Sequence, residues 1–107
     1  MKYLEICTKE GLKAYVKSNG CHFFDSDTMR FFRSRLEYPI IQRNGFVYFI
    51  TSEQFTFEDT IAPRLYTVRK MALFTVPLSH EEIGTFQEHK TLADARKALR
   101  SYLESNH

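Results

Sequence analysis

The chain has 107 residues, with fifteen lysines and arginines against thirteen aspartates and glutamates, for a net charge of +2. That length suits one domain with a modest core that needs no metal or disulfide staple, and that charge falls well short of what by itself marks a nucleic-acid binder. Ten phenylalanines and six tyrosines argue against a disordered chain. No apolar run approaches the roughly 18 residues of a membrane span, and Met1-Lys2-Tyr3-Leu4-Glu5 lacks the apolar stretch of a signal peptide, so the expected location is the cytosol, with no membrane partner. Nothing else in the chain points to an oxidising compartment, and Cys7 and Cys21 are read as reduced thiols.

The first predicted element is a helix over residues 8–20. Thr8 is its candidate N-cap, Leu12, Tyr15 and Val16 share a face, and Asn19-Gly20 supplies a left-handed stop. A second helix is expected from Ser26 to Leu36, with Asp25 as cap and Phe24 packing on Met29 as a hydrophobic staple. Pro39 is taken as the signal that ends it. The period then changes from 3.6 to 2. Ile40-Ile41-Gln42-Arg43 and Phe46 to Thr51 flank Asn44-Gly45, a strong hairpin signal.

A loop is expected from Glu53 to Pro63, followed by a strand from Arg64 to Leu73 in which Leu65, Thr67, Arg69 and Met71 alternate with Arg64, Tyr66, Val68 and Lys70. A second loop through Pro77 to Glu81 leads to a short strand over Glu82–Gln87. Thr91-Leu92-Ala93-Asp94 then opens a C-terminal helix whose apolar stripe is Leu92, Ala95, Leu99, Tyr102 and Leu103, with Arg96, Lys97 and Arg100 away from it. The expected fold is a single α+β domain in the order α-α-β-β-β-β-α, an antiparallel meander of three or four strands with its helices packed on one face.

Few groups are placed for catalysis. His22, His80, His89 and His107 are scattered, no Cys-x-x-Cys or His-x-x-x-His spacing occurs, and no metal or cofactor is expected. Adjacent Cys21-His22 could supply a nucleophile and base, but such pairs are normally assembled across a fold, so the two read as a buried thiol beside a helix-start histidine. Glu58-Asp59 and Glu81-Glu82 read as solvated loop charge. The chain is therefore expected not to be an enzyme.

Binding is the better prospect. On the expected second helix, Met29, Phe32 and Leu36 share the core side, which leaves Phe31 flanked by Arg30, Arg33 and Arg35 as a contact for another macromolecule. The sheet offers an alternative: with helices on one face, Arg43, Arg64, Arg69 and Lys70 would look outward and could meet duplex DNA. Exposed strand edges would also allow a homodimer.

Several segments carry a resemblance. His22-Phe23-Phe24-Asp25, Met29 to Arg35, Phe49 to Phe55, Pro63 to Arg69 and Ile83-Gly84-Thr85-Phe86-Gln87 resemble a family of small uncharacterised proteins of bacteriophages and other mobile elements. Tyr66-Thr67-Val68-Arg69, Ile83 to Phe86 and Thr91 to Leu103 are similar to the strand-strand-helix pattern of integrase amino-terminal arm-binding domains, which bind DNA with a three-stranded sheet. The first resemblance implies an accessory protein, working in the host-cell cytoplasm, that binds a host or element protein. The second implies DNA.

Overall fold

A computed structural model describes residues 6–18, 33–54, 56–57, 60–73, 80–85 and 88–105. The hairpin forms where expected, between β1 (Arg35–Arg43) and β2 (Phe46–Glu53). Asn44 and Gly45 take positive φ of 53° and 82°, the conformation that a two-residue hairpin turn demands at both central positions. A Cβ added at Gly45 would meet no atom within 4 Å, so any penalty there is backbone strain alone. Gly45→Ala is accordingly expected to cost about 1 kcal/mol, read as a lower urea midpoint at an unchanged slope.

β5 (Leu65–Ala72) pairs with β2 over its whole length, Phe46 against Ala72 through Glu53 against Leu65. β6 (His80–Ile83) closes the far side. The result is a four-stranded antiparallel sheet in the order β1-β2-β5-β6. Two short strands, β3 (Thr56–Phe57) and β4 (Thr60–Ile61), form a separate ladder inside the segment expected to be loop.

Helix α1 (Lys9–Ser18) begins as expected: the Gly11 amide donates to Thr8 Oγ1 at 3.0 Å and the Leu12 amide to the Thr8 carbonyl at 2.9 Å. Helix α2 (Leu92–Ser105) is capped in the same way, with the Asp94 amide donating to Thr91 Oγ1 at 3.1 Å. The two helices cover opposite faces of the sheet. Leu12 and Val16 of α1 join Leu36, Ile40, Val47, Phe49, Met71 and Leu73 in one core. Ala95, Leu99 and Leu103 of α2 join Tyr48, Ile50 and Val68 in the other. Since Val47 and Phe49 alternate with Tyr48 and Ile50 along β2, the two cores lie on either side of it.

The expectation of helices on one face is thereby corrected. The reason lies in β2, which is buried at every position from Val47 to Glu53. A strand sealed on both sides shows no alternation of apolar and polar residues to reveal which face is covered. The α+β class and the helix-sheet-helix order hold, while the second expected helix falls mostly outside the described residues. Its expected end does not hold, because Arg35 and Leu36 already belong to β1.

Pro39 sits inside β1, after a cis peptide bond from Tyr38, rather than ending a helix. An edge strand tolerates a proline because the missing amide can face outward. Here β1 takes four residue steps from Glu37 to Ile41 while β2 takes two, from Ile50 to Tyr48, so the strand bulges around the proline.

Candidate functional site

Because α2 lies over β2 and β5, its flank stands beside the edge strand β1 and leaves a groove of about 350 Å³ between them. Pro39 and Ile41 from β1 and Leu99 and Leu103 from α2 make its apolar part. Arg43, Arg96 and Arg100 line it as well, against the single acid Glu104. Two of these arginines are anchored on backbone. Arg43 Nη1 donates to the Leu103 carbonyl at 3.0 Å, and Arg96 Nε donates to the Tyr38 carbonyl at 2.9 Å. The first contact satisfies a carbonyl in the last turn of a helix and sets a cation at the negative end of its dipole. Arg100, one turn beyond Arg96, makes no hydrogen bond or ion pair among the described residues.

The contact expected around Phe31 is only partly described. Arg30 and Phe31 lie outside the described residues. Arg33 and Arg35 are exposed, Arg33 at φ 49° just before β1 and Arg35 at its first position, on a strand and not on a helix.

The four residues expected on an open sheet face do not share a surface. Arg69 and Lys70 point to opposite faces, and both faces are covered. Arg69 is 4% exposed. Its Nε donates to Thr51 Oγ1 at 2.8 Å, and its guanidinium stands 3.6 Å from Glu53 Oε1 and 3.8 Å from Glu82 Oε1. Thr51 Oγ1 passes a hydrogen bond on to Glu53 Oε1 at 3.2 Å, while Glu53 Oε2 is buried without a hydrogen-bond partner. Burial raises the Glu53 pKa above the ordinary glutamate value, against the opposing pull of Arg69, the Thr51 hydroxyl and Arg64.

Lys70, half-buried on the α2 side, lies against two aromatic rings. Its ammonium lies 4.9 Å from the Phe46 ring centre and 5.7 Å from that of Tyr102, donates to Tyr102 Oη at 3.2 Å and pairs with Glu81 at 3.2 Å. The hydrogen bond to Tyr102, then that to Glu81, raises its pKa. Arg64 donates through Nη1 to Ser52 Oγ and to the Arg33 carbonyl, each at 2.9 Å. Arg43 alone of the four lines the groove.

Glu81 and Glu82 belong to β6 and pair with Lys70 and Arg69, so they are sheet residues and not loop charge. Cys21, His22, Glu58, Asp59 and His107 lie outside the described residues. Cys7 packs at the margin of the α1 core. His89 Nε2 stands 3.5 Å from Glu88 Oε2, and no group of three or more metal-ligating side chains occurs among the described residues. Nor, among them, is any helix long and apolar enough to cross a membrane. Sequence reasoning missed Arg96 and Arg100 as site residues. The signal was that both lie off the apolar stripe of α2, but their neighbour across the groove is set by the sheet order.

Among the described residues the fold is thus an α+β domain in which the four-stranded antiparallel sheet is held between two helices, with an arginine-lined groove at its β1 edge. Over residues 8–100 the chain matches a family of unknown function (DUF7447), and it belongs to that family. No curated protein and no solved structure matches it.

Proposed function

We propose that this is a non-enzymatic accessory protein of a bacteriophage or other mobile element, and that it acts by binding a host or element protein through the groove between β1 and α2. The observation that carries this reading is the meeting of Arg43, Arg96 and Arg100 around an apolar cleft with Glu104 as its one acid. Arginine beside apolar surface is what protein interfaces are enriched in, and Arg100, with no hydrogen-bond or ion-pair partner among the described residues, has its hydrogen-bonding capacity to offer. The mobile-element context rests on the resemblance of the segments from His22 to Gln87. Of the contact expected at Arg30, Phe31, Arg33 and Arg35, Arg35 stands apart from the groove's Arg43, since Arg35 opens β1 and Arg43 closes it.

The reading is tested by recovering bound proteins from the host with the wild-type chain, with Arg100→Glu, and with Lys97→Glu as a charge-matched control on an exposed residue outside the groove. A stoichiometric partner kept by the control and lost by Arg100→Glu is expected. A partner held equally by both variants would place the contact elsewhere.

A further inference from the structure

We infer that the groove takes an acidic protein segment that carries an aliphatic side chain, recognised by side chains and not by strand addition to β1. This deepens, and rests on, the protein-binding reading above.

Strand addition needs a row of unpaired backbone groups along an edge. β1 is the edge strand beside the groove, yet its middle offers no such row. Pro39 has no amide hydrogen, the Tyr38 carbonyl is taken by Arg96 Nε, and the bulge between Glu37 and Ile41 breaks the repeat. A ligand at this edge must therefore be held through side chains.

The chemistry of those side chains sets the ligand's sign. Arg96 spends its Nε on Tyr38 and Arg43 one Nη1 contact on Leu103, and among the described residues neither makes a further interaction. Both keep N–H groups for a carboxylate, with Arg100 beside them. Arg96 and Arg100 are four residues apart on α2, a rise of about 6 Å. Alternate residues of an extended chain are spaced by about 6.6 Å, so two acids separated by one residue match that interval.

Charge complementarity alone would also suit the phosphates of a nucleic acid. The apolar part of the groove separates the two. Pro39, Ile41, Leu99 and Leu103 give a phosphate backbone nothing to bind, whereas they can bury an aliphatic side chain next to the acids.

The test is fluorescence anisotropy at physiological ionic strength with four labelled probes: a short peptide with glutamate, glutamate and leucine at successive alternate positions and serine between them, so that all three side chains share one face; its counterpart with serine in place of the leucine; its counterpart with lysine in place of the glutamates; and a short DNA duplex. The glutamate–leucine peptide is expected to bind. Arg100→Glu, checked for unchanged melting, should weaken it by about tenfold, and Lys97→Glu by much less. Serine in place of leucine should weaken binding by a similar factor, and the lysine peptide should not bind. Equal binding of the glutamate–serine peptide would overturn the inference and leave the protein-binding reading standing. Tighter binding of the duplex, lost in Arg100→Glu, would overturn both. Failure of every peptide to bind would overturn the inference alone, provided that host-protein recovery still depends on Arg100.

Discussion

Arg69→Met is expected to lower the unfolding free energy by about 3–5 kcal/mol, because it removes the charge partner of a carboxyl group buried inside the domain. Glu53 is 4% exposed and Arg69 likewise, and with Arg69 gone the Glu53 carboxyl keeps the Thr51 hydroxyl and the weaker pull of Arg64, one of its oxygens being already without a hydrogen-bond partner. The double variant Arg69→Met/Glu53→Leu should recover most of the loss, since an apolar pair of similar volume carries no desolvation penalty. Urea unfolding of the two variants checks this. A single variant as stable as the wild type would mean that the pair is solvated and not buried.

The same cluster makes stability depend on pH. Glu53 titrates above its ordinary value of 4.5 in the folded chain, chiefly through burial. Between that value and the raised native one, the folded state binds more protons than the unfolded state, so stability falls as pH rises through the interval. Arg69 is the largest influence opposing burial. Removing it should push the native pKa further up, so that the decline reaches higher pH in Arg69→Met than in the wild type. Parallel decline in both, measured by urea midpoints from mildly acidic to mildly alkaline pH, would show that Arg69 does not stabilise the carboxylate.

Phe49→Ala is expected to cost a comparable amount, about 3–5 kcal/mol, through lost burial and the cavity left behind. Phe49 is 1% exposed at the middle of β2, in the core that α1 covers, so little around it can collapse. It is also the cross-strand partner of Arg69 on the same face. A cavity there would admit water beside the guanidinium, so Arg69→Met in the Phe49→Ala background should cost less than in the wild type. Strict additivity in that double-mutant cycle would show that the two positions do not sense each other.

The elements legible in the sequence are those whose signal is local. Asn44-Gly45 needs only its own backbone to declare a turn, and α2 announces itself through Thr91 and a stripe that ends up buried as Ala95, Leu99 and Leu103. What was misread depends on neighbours distant in the chain. Pro39 reads as a helix stop because a proline pushes the residue before it out of helical geometry; that it can instead sit in a strand depends on that strand being an edge, which follows from the sheet order. Glu53 reads as the start of a loop, yet it continues β2, and Thr51, Ser52 and Glu53 are all buried, their polarity matched by Arg69 and Arg64 from across the sheet. The groove was illegible for the same reason: Arg43 and Arg96 meet across more than fifty positions of chain, through two backbone carbonyls that no pattern of residue types reveals.

The buried guanidinium has one consequence for how this chain finds its own alignment. In most sheets a slip of one residue between strands is punished because it turns the apolar side chains toward water. Here that penalty is blunted, since β2 offers Val47 and Phe49 to one helix and Tyr48 and Ile50 to the other, and either set can fill a core. Hydrophobicity alone therefore discriminates poorly between the correct pairing of β2 with β5 and its neighbours. The charges discriminate well, because a slip of one residue would strand Arg69 on the opposite side of the sheet from Thr51 and Glu53. The most polar spot in the interior thus acts as the index mark by which two otherwise interchangeable greasy strands are aligned.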